Sequence, residues 1–186
     1  TTMQDYWDEA FFGLGDPNPA RERYSLPLLS ADLRYRGYSE VRRKDFYSPH
    51  IPDYEIVTTG QKWRDLTGNY TRYGNVLPLL AESDNQYVIM NGGDELALTF
   101  ENNLPNLASG MRRDFLLYND GWVKDGDLNT AYGQTVDPYP FLQMRSYPYP
   151  DSLNPLNDKE FELFLRKYNT RIVTTDSFRQ LLFQAN

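Results

Sequence analysis

Cysteine is absent from this 186-residue chain, which removes disulfides, thiolate metal sites and cysteine nucleophiles together. Histidine is almost absent as well. The one copy, His50, sits in the loop Ser48-Pro49-His50-Ile51-Pro52, where a lone histidine is more often structural or exposed than catalytic. Without a histidine cluster there is no ready site for zinc or haem, and neither a Gly-x-Ser-x-Gly elbow nor a phosphate loop occurs. No apolar run approaches the length that spans a bilayer. Basic residues are the minority, with 19 Lys and Arg against 26 Asp and Glu and a net charge of −7. No basic run is long enough to track a phosphate backbone, which argues against nucleic acid as a partner. No solenoid-length repeat is present. Carboxylates are as plentiful as in any acidic protein, and no pair stands out as a glycosidase dyad. Hydrolytic and nucleophilic catalysis therefore find little support.

What the chain has in excess is aromatic surface. Fifteen Tyr and 10 Phe accompany 12 Pro, a mixture that favours sheet and ordered loops over helical bundles. The length suits one domain over residues 1–186. Because the chain opens Thr1-Thr2-Met3, without an initiator Met or a signal peptide, it is expected to be a processed product or part of a longer exported protein.

Thr1 to Phe12 reads as a strand needing a partner sheet, and the prolines and glycines of Gly13 to Pro19 break it. Ala31-Asp32-Leu33-Arg34-Tyr35-Arg36 alternates strictly, the mark of a half-buried strand. Arg42-Arg43-Lys44 is a solvated basic patch, followed by loop as far as Pro52. Tyr54 to Thr59 is another strand. Gln86 to Met90, the turn Asn91-Gly92-Gly93-Asp94 and Glu95 to Glu101 form a predicted hairpin, with Leu96, Leu98 and Phe100 on one face. The first convincing helix is late: Asn157 caps it, Glu160 completes a capping box, and Phe161, Phe164, Leu165 and Tyr168 follow the i, i+3, i+4, i+7 stripe. Asn169 stops it, Ile172-Val173 returns to sheet, and Phe178, Leu181 and Leu182 suit one more helical turn.

Residues 110 to 150 hold the candidate chemistry. Phe115-Leu116-Leu117-Tyr118 reads as a buried strand, feeding turns at Asn119-Asp120-Gly121 and Asp125-Gly126-Asp127-Leu128-Asn129. Asp125, Asp127 and Asn129, spaced two apart, direct alternate oxygens at one hard cation, and Asp120 adds another, which makes calcium the candidate metal. The pattern lacks the distal bidentate glutamate and fixed glycine of an EF-hand loop. The competing reading is that these groups bond their own turn amides. Pro138, Pro140, Pro148 and Pro150, interleaved with Tyr139, Phe141, Tyr147 and Tyr149, read as a strap over the sheet. Trp7, Trp63 and Trp122 sit in strand-like segments where packing is the commoner fate. Exposed Tyr and Trp faces would also suit sugar rings. Asn69-Tyr70-Thr71 matches the glycosylation acceptor pattern, a short motif that often arises by chance.

The blocks QDYWDEAFF, LPLLSADLRYRGYSEV, KWRDLTGNYTRYGNVLPLL, YVIMNGGDELALTFE, RRDFLLYNDGWVKDGDLNTAYGQTVDPYPF and KYNTR occur in this order. Together they resemble the C-terminal region of large bacterial exported proteins with FG-GAP (VCBS-type) repeats and an ASPIC/UnbV segment, the cartilage-acidic-protein-like family. The resemblance runs from about Tyr6 to Arg171. It implies a secreted or cell-surface bacterial protein with a β-propeller preceding this region, and it brings no catalytic residues to carry over. Calcium loops of such propellers belong to the repeats and lend nothing to Asp125 and Asp127. Around Tyr139 and Leu142-Gln143 the chain departs from the Leu-Pro-Phe-His that relatives tend to carry before the Met.

The expected fold is thus mainly β, an antiparallel β-sandwich-like domain with a hairpin at Asn91 to Asp94 and one short helix from about Asp158 to Tyr168. The expected function is non-enzymatic extracellular binding or structural assembly, with protein partners or neighbouring domains of the same polypeptide. The alternative is a carbohydrate-binding or carbohydrate-active module.

Overall fold

The computed structural model describes residues 22–49, 51–58, 66–124, 126, 129 and 131–174. The fold is mainly β, with antiparallel sheets and one α-helix among the described residues. Strand β1 (Leu28–Tyr35) lies at the centre of a three-stranded sheet, between β5 (Gly74–Asn75) and β6 (Asp94–Phe100). β2 (Tyr38–Arg42) pairs with β3 (Ile51–Thr58), and β4 (Gly68–Tyr70) pairs with β7 (Arg171–Val173). Helix α1 spans Lys159–Tyr168.

The alternation in β1 does what its period demands. Ala31 and Leu33 are buried while Asp32 and Arg34 are exposed, because successive strand side chains point to opposite faces. Opposite them, Leu98 registers with Ala31 and Leu96 with Leu33, and both β6 leucines pack against the core. Helix α1 closes that core with Phe161, Phe164 and Tyr168, each buried. Its boundaries match the hydrophobic stripe, and Asn169 is its C-cap.

Four sequence expectations are corrected. The hairpin is the first: β6 pairs with β1, and Gln86 to Met90 form no strand. The turn itself exists, since Asp94 N donates to Asn91 O at 3.1 Å. Gly93 there adopts a φ of +85°, and its carbonyl accepts from both Arg36 N (2.8 Å) and Gly37 N (3.0 Å). The segment ahead of the turn has other partners. Thr71 N donates to Ile89 O at 3.2 Å, and Ile89 N to Thr71 Oγ1 at 2.8 Å. A long apolar strand with a matched face outcompetes the local arm.

The loop expected up to Pro52 is the second, because Ile51 and Pro52 belong to β3, with Val41 opposite Pro52. A two-stranded ribbon has only edge strands, where a proline's missing donor is tolerated. The third is the helix cap: Asp158, not Asn157, accepts from Glu160 N at 2.8 Å. Asn154 instead caps the short 3-10 turn Pro155–Asn157, accepting from Leu156 N at 2.9 Å. The fourth is the stretch Phe115 to Gly121, where neither the expected strand nor the expected turn forms. Thr1 to Phe12, His50, Trp7, Trp63, Phe178, Leu181 and Leu182 lie outside the described residues.

Candidate functional site

Phe115-Leu116-Leu117-Tyr118 does not form a strand, and residues 111 to 124 carry no regular element. Its side chains face solvent: Phe115 is 69% exposed, Leu116 91%, Leu117 60% and Tyr118 87%. Among the described residues no hydrogen bond reaches the backbone of these four. The strand expected there is therefore corrected: among the described residues no sheet edge takes the apolar run up. The turn expected at Asn119-Asp120-Gly121 is not formed either. Consecutive exposed apolar side chains on an unpaired backbone are the signature of an interaction segment.

Around the segment the polar groups are arranged simply. Arg112 Nε meets Asp114 Oδ2 at 3.2 Å, both largely exposed. Arg113 donates to Pro105 O at 2.6 Å. The Ser83 hydroxyl donates to Asp120 Oδ2. Of the four residues proposed to hold calcium, Asp125 and Asp127 lie outside the described residues. Asp120 and Asn129 are both exposed. Among the described residues no group of three or more His, Cys, Asp or Glu is placed to hold a metal.

Beyond the segment, the proline-tyrosine region is knitted to itself and to α1. Tyr147 OH donates to Pro138 O (3.0 Å) and Tyr149 OH to Tyr139 O (2.6 Å). Tyr87 OH reaches Pro140 O at 2.7 Å. The buried Tyr139 ring meets Phe161 of α1 at 6.1 Å between centroids. The strap thus packs on the helix. Its rings meet edge to face: Trp122 on Tyr147 at 4.6 Å, Phe141 on Tyr149 at 5.0 Å. Edge-to-face pairs satisfy the ring quadrupoles within the protein and leave no coplanar row of faces. Beside them Tyr132, Asp137, Pro138, Tyr149, Asp151 and Asn154 line a cleft of about 230 Å³. Burial holds the Tyr139 and Tyr147 phenols up at about 12, so both remain donors at neutral pH. Lys124 Nζ donates to Asp137 O at 2.6 Å, and its desolvation lowers its pKa.

Two polar clusters were not foreseen. In the first, the Asp94 side chain is fully buried and accepts from Tyr73 OH (2.9 Å), Asn91 N (3.0 Å) and Arg171 (2.5 Å). Arg171 also donates to Thr71 O at 3.1 Å and Asn91 Oδ1 at 3.0 Å. Its guanidinium lies 4.4 Å from the Tyr73 ring centroid. Desolvation first, then the bond to Asp94, raises Tyr73 to about 12. In the second, Glu95 pairs with Arg34 and Arg36 and accepts from Tyr54 OH, while Arg36 lies 3.7 Å over the Tyr54 ring. The Tyr54–Glu95 contact joins the β2–β3 ribbon to the central sheet, and Arg36, Tyr54 and Glu95 border a cleft of about 360 Å³. Charges this fully engaged with one another build structure. The signal in the sequence was the charged outer face of β1 and β6, which becomes legible only once their register is known.

Fold and site together define a mainly-β protein with a well-tied sheet and helix and, among the described residues, an exposed apolar segment at Phe115 to Tyr118 that joins neither. Neither family models, nor curated proteins, nor solved structures give a match to the chain.

Proposed function

We propose that this chain is a non-enzymatic binding or structural-assembly module that works through protein contacts. The observation that carries the reading is the exposed, unpaired Phe115 to Tyr118 segment. Removing such a segment from water and pairing its backbone favours association twice, through apolar burial and through ladder hydrogen bonds. The resemblance to the C-terminal regions of FG-GAP and ASPIC/UnbV proteins adds a secreted or cell-surface bacterial setting behind a β-propeller. Partners are then other polypeptides or neighbouring domains of the same one.

The test is a photo-crosslinking amino acid at position 116 in the protein as its host makes it, with crosslinks mapped by mass spectrometry. Crosslinks to protein, lost on competition with a Phe115–Tyr118 peptide, are expected. Absence of protein crosslinks, or turnover of a polysaccharide by the purified chain, would remove the basis of the reading. A second reading, a carbohydrate-binding module, draws on the cleft that Tyr132, Tyr149, Asp137 and Asp151 line. Tryptophan fluorescence titrated with oligosaccharides separates the two, because Trp122 meets Tyr147 edge to face beside that region.

A further inference from the structure

We infer that the partner of the exposed segment is a second copy of this chain, joined by an antiparallel pairing of residues 113 to 120 about a two-fold axis between Leu116 and Leu117. This rests on the assembly reading above and names its partner. The argument is the self-complementarity of the segment. Written against its own reverse, Arg-Asp-Phe-Leu-Leu-Tyr-Asn-Asp places Arg113 opposite Asp120, Asp114 opposite Asn119, Phe115 opposite Tyr118 and Leu116 opposite Leu117. Each pair occurs twice, as a two-fold interface requires. Opposite charges, facing aromatics and facing leucines are the cross-strand pairs that stabilise a ladder. No like charges are opposed.

The structure leaves the segment free to do this. No residue from 111 to 120 adopts a positive φ, so none must leave the left-handed region to enter a strand. All four central side chains are exposed, and their backbone groups have no partner among the described residues. Asp120 accepts from Ser83 through Oδ2 only, which leaves Oδ1 for an arginine. Arg113 spends one nitrogen on Pro105 O and retains the others. In the paired form Phe115 and Leu117 of one copy share a face with Leu116 and Tyr118 of the other.

Sedimentation equilibrium over a wide range of chain concentration tests this directly. A monomer–dimer equilibrium is expected. Leu116→Lys, which puts two ammonium groups against leucines at the axis, abolishes it. Arg113→Asp and Asp120→Arg each weaken it about tenfold by opposing like charges twice, while the double exchange Arg113→Asp/Asp120→Arg restores it. Melting curves of the variants at low concentration control for folding. A chain that stays monomeric, a dimer that survives Leu116→Lys, or a double exchange that fails to restore pairing overturns the inference. Position-116 crosslinks that reach only other polypeptides, from a monomeric chain, overturn self-pairing yet leave the assembly reading standing. Absence of any protein crosslink sinks both.

Discussion

Leu33 and Leu116 sit in two runs of similar apolar, strand-forming character, and the molecule treats them oppositely. Around Leu33, β1 is held by β6 along seven paired residues and by β5 on its other edge, and the side chain is fully buried. Around Leu116 the backbone is unpaired and the side chain is 91% exposed. Composition does not separate them. What separates them is whether the chain supplies a partner: β1 has Leu96 and Leu98 across the ladder and Arg171, Asp94 and Tyr73 tying the strand ends to β7. The second run has only polar contacts at its borders. Burial follows from available partners, and the second run finds none among the described residues.

The tied region is most sensitive at its charged node. Arg171→Ala leaves the Asp94 carboxylate buried without its cation, an effect of about 3–5 kcal/mol. In a chain of this size that lowers Tm by about 10 °C, measurable by scanning calorimetry. A loss below about 1 kcal/mol would mean that Asp94 reaches water and that the node is ornamental.

Leu33→Ala should cost somewhat less, about 3 kcal/mol, from lost apolar transfer and the cavity left in the core that Leu33 shares with Val76 and Leu79. Urea denaturation with an unchanged m-value checks it. Asp158→Ala comes next, at about 1 kcal/mol, because it leaves Glu160 N at the start of α1 without its acceptor; Asp158→Asn should recover most of that.

Acid supplies a subtler break. The Tyr54 hydroxyl, then Arg34, hold the Glu95 carboxyl below its ordinary value of 4.5. A folded-state value lower than the unfolded one gives stability that is present above pH 4.5 and lost as pH falls through the folded value. Stability followed from pH 6 downward should therefore fall less steeply below pH 4.5 in Glu95→Gln than in the parent. An identical acid limb would detach Glu95 from the ribbon contact.

Much of the tied region was legible in the sequence, and for a physical reason. The alternation over Ala31 to Arg36 and the stripe Phe161, Phe164, Leu165, Tyr168 are local patterns that burial merely completes. The hairpin over Gln86 to Glu101 was misread because Asn-Gly chemistry specifies the turn but not which strand lies beside Leu96. The Arg171 node was invisible since its members come from residues 71, 73, 91, 94 and 171, far apart in sequence and gathered only by the fold. Phe115 to Tyr118 does not form the expected strand, because propensity is local and says nothing of a neighbour, and none pairs with it among the described residues. The same lack of local information left Asp120, Asp125, Asp127 and Asn129 as a spacing pattern, with two of the four outside the described residues.

Leu116 should respond to the same truncation quite differently from Leu33. Leu116→Ala removes the same atoms as Leu33→Ala from a side chain that already meets water in the folded monomer. Because transfer and cavity terms both require burial, the change in monomer stability should stay within about 0.5 kcal/mol. The measurement must be made at a concentration where association is negligible, since any dimer adds stability by mass action. Raised to higher concentration, the parent should gain Tm and the variant should gain less, so one substitution reads both regimes. A loss at low concentration approaching that of Leu33→Ala would show Leu116 covered by its own chain. The contrast between the two runs would then collapse, and the reason for expecting an outside partner would go with it.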